Sequence, residues 1–216
     1  MRELPGLLAA WEPAGGAGAA GTAGYTEAAA ALAEQYEEVG FEQVHRGMLH
    51  LLPTTPSRVL DVGAGTGRDA AALARLGHTV TAVEPTAALR AHGGRLHAGS
   101  TVRWVDDALP ELPRLGAAGE RYDLIMLTAV WMHLAPRERA AAMRTVAGLL
   151  APGGTLLMTV RQGPVPAGRR MFAVPTAEVL AQAAELGLRP VHQDERADLH
   201  GRGGVRWTEL GFVRQP

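Results

Sequence analysis

The chain has 216 residues, 47% of them hydrophobic, with a formal net charge of −1 and no cysteine. Its length and apolar content suit one domain with a sizeable core. Without cysteine there can be no disulfide, thiolate metal site, cysteine nucleophile or cysteine-held iron–sulfur cluster, and the near-zero charge argues against a nucleic-acid surface. No apolar run reaches the length of a bilayer span, and no basic-then-apolar leader opens the sequence. A cytoplasmic protein without a membrane partner is therefore expected. None of the eight histidines forms a helical His-x3-His pair, so no metal is expected.

In chain order, residues 1–24 read as a flexible lead-in, because Pro13–Gly24 is almost entirely Ala and Gly and offers little to bury. The domain then runs over 25–216 and starts with a helical cap over 25–56. One helix is predicted over Thr26–Val39 and a second over Phe41–Leu52, before Pro53 and Pro56 punctuate the entry to the first strand. Strand-like runs follow at Arg58–Val62, Thr79–Glu84, Val102–Val105, Tyr122–Thr128, Thr155–Val160, Leu188–His192 and Val205–Val213. Helical patterns separate them, clearest at Asp69–Leu76, Arg137–Leu150 and Thr176–Leu186. Leu186-Gly187 and Pro152-Gly153-Gly154 supply helix stops. Strand–helix alternation predicts a parallel sheet covered on both faces. Gln193–Gly204, polar and Gly-rich, reads as a loop joining the last two strands as antiparallel neighbours.

The stretch Val59-Leu60-Asp61-Val62-Gly63-Ala64-Gly65-Thr66-Gly67 carries the most information. A short apolar strand runs into a glycine-rich turn, and a helical pattern follows at once. That order puts backbone N–H groups and a helix N-terminus at the mouth of a parallel sheet, where a polar ligand can settle. The spacing is G-x-G-x-G. Arg68 stands where the dinucleotide fingerprint G-x-G-x-x-G needs its last glycine. Glu84 ends the second strand, where a carboxylate can accept both hydroxyls of a ribose. Asp106-Asp107-Ala108-Leu109-Pro110 ends the third.

These features, with the fourth-strand run Tyr122–Leu134 and the Leu149-Leu150-Ala151-Pro152-Gly153-Gly154-Thr155-Leu156 turn, resemble the ordered motifs of the class I S-adenosylmethionine-dependent methyltransferases. The resemblance covers roughly residues 40–216. It implies an α/β, Rossmann-like, doubly wound seven-stranded sheet, mostly parallel with a C-terminal antiparallel hairpin. The relatives it points to are small bacterial-type enzymes acting on small molecules, with S-adenosylmethionine as cofactor. The implied cofactor set is Tyr25, Arg46, Asp61, Gly63, Ala64, Gly65, Thr66, Gly67, Asp69, Glu84, Pro85, Asp106, Asp107, Ala108, Thr128, Ala129 and Val130. Asp107 matches the family's adenine-contacting carboxylate better than Asp106; capping a turn is the other role open to this pair.

For the chemistry, the resemblance places His133 near the transferring methyl, with a pKa suited to a general base. Its other reading is structural, holding backbone ahead of the helix that follows Pro136. Tyr36, Trp131, His133 and Arg161 are the acceptor-site candidates, with Trp131 divided between an aromatic wall and packing. Arg161 and Arg169-Arg170 flank a Pro/Gly-rich loop and raise the case of a small acidic substrate. The Asn-Pro-Pro-Tyr tetrapeptide that grips planar amines is replaced by Thr128-Ala129-Val130-Trp131. Two alternatives stand beside methyl transfer: binding of the cofactor without transfer, and nicotinamide oxidoreduction, which the glycine spacing disfavours. The acceptor, the atom methylated and the oligomeric state cannot be read from the chain.

Overall fold

A computed structural model describes residues 20–215; the start of the expected lead-in, residues 1–19, lies outside them. Seven strands form one sheet: β1 (Arg58–Val62), β2 (Thr79–Val83), β3 (Arg103–Val105), β4 (Tyr122–Thr128), β5 (Leu150–Gln162), β6 (Leu188–Ala197) and β7 (Arg206–Arg214). Their order is β3-β2-β1-β4-β5-β7-β6. The β1–β5 pairings are parallel, and β7 runs antiparallel to both β5 and β6. This is the doubly wound sheet with a C-terminal hairpin that the sequence pattern predicts.

The helices are α1 (Ala29–Glu37), α2 (Phe41–Val44), α3 (Arg68–Arg75), α4 (Ala87–Leu96), α5 (Pro113–Ala118), α6 (Pro136–Leu149) and α7 (Thr176–Glu185). Alternate residues of the inner strands feed two separate cores. Val59, Leu124 and Met126 join Leu73 and Phe41 on one face. Leu60, Val62, Ile125 and Leu127 join Val146, Val179 and Phe212 on the other. Near-continuous apolar runs are what a sheet buried on both faces requires.

Four local readings are corrected. The helix expected over Phe41–Leu52 is broken: α2 ends at Val44, and a 3-10 turn takes Leu49–Leu51. α4 and α5 were not foreseen, since Gly93-Gly94 and Pro113 interrupt the apolar period on which prediction rests. β5 starts at Leu150 rather than Thr155, with residues 151–154 out of register against β4 and Gly153 at φ +75°. β6 runs on to Ala197, so the loop expected from Gln193 begins only after it. At the N-terminal end, Ala20–Thr22 forms a 3-10 turn.

Arg139 on α6 is fully buried and holds the segment after β5 in place. It donates to the Leu134 and Ala173 carbonyls at 3.2 and 2.8 Å and to the Glu178 carboxylate of α7 at 3.0 Å. Replacing it strands three acceptors, two of them backbone. Arg139→Ala should therefore lower the unfolding free energy by about 2–4 kcal/mol, measured by urea denaturation. Glu178 keeps some solvent access, which places the expected loss at the lower end for a broken buried pair.

Candidate active site

A cavity of about 830 Å³ opens at the C-terminal ends of the parallel strands, across the β1–β4 point where strand order reverses. Open α/β sheets bind ligands at such a point, and the volume lies in the upper part of the usual range of about 300–1,000 Å³. All but four of the sequence-derived site residues line it.

The glycine turn is shaped by protein contacts as well as by access. Gly63, Gly65 and Gly67 have φ of +71°, +59° and +80°, in the left-handed region that favours glycine. A Cβ on Gly63 would meet Val130 Cγ2 at 2.5 Å, and one on Gly65 would meet the Tyr36 ring at 3.2 Å. Glu84 bridges the turn to β2. Its Oε2 accepts the Gly65 N–H at 2.9 Å, and its Oε1 accepts the Thr86 N–H at 2.7 Å. Each oxygen keeps a further lone pair. Burial raises the Glu84 pKa, and the Thr86 and Gly65 donors work against that rise.

Below the turn sit two buried carboxylates, Asp61 and Asp69. Asp69 accepts from His45 Nε2 at 2.8 Å, Arg68 Nε at 2.7 Å and the Thr128 hydroxyl at 2.9 Å. Burial alone would raise its pKa, but His45 and Arg68 outweigh it and hold Asp69 far below the usual range. Asp61 goes the other way, raised by burial and by the charge of Asp69. Its Oδ2 has no partner among the described residues. An unpartnered buried oxygen on a cavity wall suits a donor brought in by a ligand.

At the far side of β4, His133 closes the 3-10 turn Trp131–His133. Its Nδ1 lies 2.9 Å from the Arg170 carbonyl, which can only accept, so Nδ1 carries the proton. Nε2 then accepts the Tyr25 hydroxyl at 3.0 Å. Burial lowers the His133 pKa, assisted by the nearby Arg169 and Arg170 charges and opposed by the Arg170 carbonyl bond. Tyr36 hydrogen-bonds Tyr25 in turn, and burial raises the pKa of both phenols.

Four expected site residues are not on the cavity. Arg46 is exposed beyond the end of α2. Gly67 packs beneath Trp104, which a Cβ would meet at 2.7 Å, so its role is packing. Asp106 is exposed and pairs with Arg90 at 3.0 Å. Trp131 is fully buried in the core, which leaves it the packing role. Asp107 does reach the cavity, yet its carboxylate also caps α5 through the Arg114 and Leu115 N–H groups at 2.9 and 3.1 Å. Arg68 lines the cavity unforeseen, donating to the Tyr36 and Val39 carbonyls at 3.1 and 3.3 Å. Its presence at the missing-glycine position was the available signal.

Comparison with known proteins agrees with this geometry. Residues 59–154 match the model of a methyltransferase domain family. An uncharacterised methyltransferase of Mycobacterium tuberculosis is 34% identical over 108 residues, 49% of this chain and 51% of that protein. The chain thus spans about half the length of these mycobacterial relatives. A ubiquinone biosynthesis O-methyltransferase of Methylobacterium is 30% identical over 174 residues, covering 72% of this chain and 68% of the relative. The structure of 1,6-didemethyltoxoflavin-N1-methyltransferase from Burkholderia thailandensis, with bound S-adenosylhomocysteine, superposes with a TM-score of 0.61. It covers 88% of this chain and 90% of its own, at 21% identity, and so speaks to the fold. The chain belongs to the class I S-adenosylmethionine-dependent methyltransferases.

The free lone pairs of Glu84 fit a ribose diol, and the Asp61 oxygen fits an ammonium group. Glu84→Gln should weaken S-adenosylhomocysteine binding by about 1–3 kcal/mol in calorimetry, and should also lower the melting temperature, because its amide nitrogen must face the Gly65 or Thr86 N–H. An unchanged affinity would take the carboxylate out of the binding site.

Proposed function

We propose that this protein transfers a methyl group from S-adenosylmethionine to a small-molecule acceptor, with His133 as general base. The observation that carries the reading is a single cavity. It joins the glycine turn and Glu84 to a neutral His133 whose Nε2 lone pair is directed at a hydroxyl. The cofactor supplies an electrophilic methyl on a sulfonium. Glu84, Asp61, Asp69 and the turn from Gly63 to Thr66 hold it at the β1–β2 side, with Pro85, Asp107, Ala108 and Thr128–Val130 completing that wall.

On the other side the chain does two things. It positions the acceptor, which in a displacement at carbon supplies much of the rate. It also receives the acceptor's proton, which reaches Nε2 through the Tyr25 hydroxyl or by displacing it. Nδ1–H stays on the Arg170 carbonyl throughout, so the ring does not rotate. We also infer a cytoplasmic setting and no nucleic-acid partner, from the cysteine-free composition and the near-zero net charge. No helix among the described residues is long and apolar enough to cross a membrane.

His133→Ala should cut turnover by roughly 10²–10⁴-fold with S-adenosylhomocysteine affinity nearly unchanged. The acidic limb of the pH–rate profile should vanish with it. The sign follows from the lowered pKa: the imidazole is neutral at pH 7 and gains its proton only below about pH 6.5. The same shift gives a stability term. The unfolded chain protonates first, so wild-type protein loses stability as pH falls through about 6.5, and the variant lacks that component. Full activity per folded molecule would leave positioning as the whole catalytic account.

A further inference from the structure

The methyl-accepting side of the cavity holds a cation that forms no ion pair among the described residues. Arg161 sits at the C-terminal end of β5, opposite Trp207 on β7, with 9% of its surface exposed. It lines the cavity, and its Nε has no hydrogen-bond partner. No carboxylate lies within ion-pair distance of it among the described residues.

The nearby carboxylates are already committed. Asp198 Oδ1 accepts Arg202 Nη2 at 2.6 Å and Trp207 Nε1 at 2.9 Å. Its Oδ2 takes Arg202 Nε at 3.0 Å and the backbone N–H groups of His200 and Arg202 at 3.1 and 3.0 Å. Glu209, one strand further, is held by Arg196 Nε at 2.8 Å. Burial lowers the Arg161 pKa, and the like charge of Arg202 adds to that fall, while the more distant Asp198 carboxylate opposes it without reaching ion-pair distance. A guanidinium stays charged in proteins all the same. Arg169 and Arg170, across the cavity, have long carbonyl contacts at 3.5 Å and lie over the Tyr25 and Phe172 rings, with no ion pair among the described residues.

Holding a cation in a cavity wall with no ion pair of its own is costly, and an anionic group on a ligand would relieve that cost. The contrast with the cofactor side sharpens the point. Asp61, Asp69 and Glu84 gather on β1, α3 and β2, and β1 and β2 lie two and three strand steps from β5, about 10 and 14 Å. We propose that Arg161 is an oxyanion subsite of the acceptor pocket, and that the acceptor is a small molecule carrying a carboxylate or comparable oxyanion. The planar fork of Arg161 takes two oxygens of that group and leaves the acceptor's nucleophile toward His133. This inference rests on the methyl-transfer reading above for the word acceptor, while the anion site itself stands on Arg161.

The test uses the full chain, with and without S-adenosylhomocysteine, and three probes measured by calorimetry. These are 4-hydroxybenzoate, its uncharged counterpart 4-hydroxybenzamide, and inorganic phosphate. The benzoate should bind wild-type protein about tenfold or more tighter than the amide, the ratio a charge-assisted hydrogen bond carries. Arg161→Gln should bring the two to equal affinity with S-adenosylhomocysteine binding unchanged. Arg161→Lys, which keeps the charge but loses the fork, should recover part of the preference and serves where the Gln variant fails to fold. Equal binding of benzoate and amide, no binding of either, or a preference that survives both substitutions overturns the proposal. Phosphate binding as tightly as the benzoate overturns it too, since the site then serves free anions. Failure of S-adenosylhomocysteine to bind would instead sink the methyltransferase reading, and the anion arms on unloaded protein would still report on Arg161.

Discussion

Asp69 is the group on which the rest of the site depends. Three donors converge on its buried carboxylate: His45 from the segment after α2, Arg68 at the start of α3, and Thr128 at the end of β4. Those donors come from three separate parts of the chain and meet on one carboxylate. Arg68 extends the tie by donating to the Tyr36 and Val39 carbonyls at the end of α1. A buried carboxylate that lost one of these partners would be undercompensated, which makes the arrangement close to all-or-none. Its charge also explains Asp61. Two adjacent buried carboxylates do not both ionise, so Asp69 keeps the charge and Asp61 is pushed toward its neutral form.

From this anchor the cavity acquires a direction. Carboxylates collect where the β1 and β2 ends meet the glycine turn, and arginines collect where β5 and β7 end. His133 sits between, after β4, in a pocket that keeps it uncharged at neutral pH. A cationic cofactor and an anionic acceptor placed along that axis would each lie against compensating charge. A neutral imidazole in the middle disturbs neither. The sheet enforces the separation, since strand spacing is fixed by backbone hydrogen bonding and cannot be closed by side-chain adjustment.

Much of this was legible in the chain because it rests on local rules. The β1 run, the glycines, Glu84 and the strand alternation each follow from period and turn chemistry, and Gly63, Gly65 and Glu84 meet on one cavity wall. Misreadings fall where tertiary packing decides. Trp131, which the sequence leaves open between pocket wall and packing, is turned into the core after β4. Gly67 looked like part of a ligand cradle, but Trp104 arrives from a strand some forty residues away and needs the space. Asp106 and Asp107 are neighbours whose side chains point opposite ways at a strand end, so sequence alone could not divide their roles. Arg161 was visible as a candidate; its lack of a counter-charge was not, because that depends on Arg202 and Trp207 consuming Asp198.

The N-terminal turn shows how closely the acceptor side is covered. Gly21 packs on His133, where a Cβ would lie 3.2 Å from His133 Cβ. Gly24 abuts the Gly168 carbonyl, where a Cβ would come to 2.5 Å. The Arg169 guanidinium lies over the Tyr25 ring at 4.0 Å. The two glycines thus let one stretch of backbone press against His133 after β4 and against the loop that follows β5, and a cation–π contact fastens the seam. Tyr25 is shared by both functions, since its ring holds Arg169 while its hydroxyl occupies Nε2 of His133. One side chain thus ties the His133 ring to the covering turn, through its hydroxyl on one side and its ring face on the other.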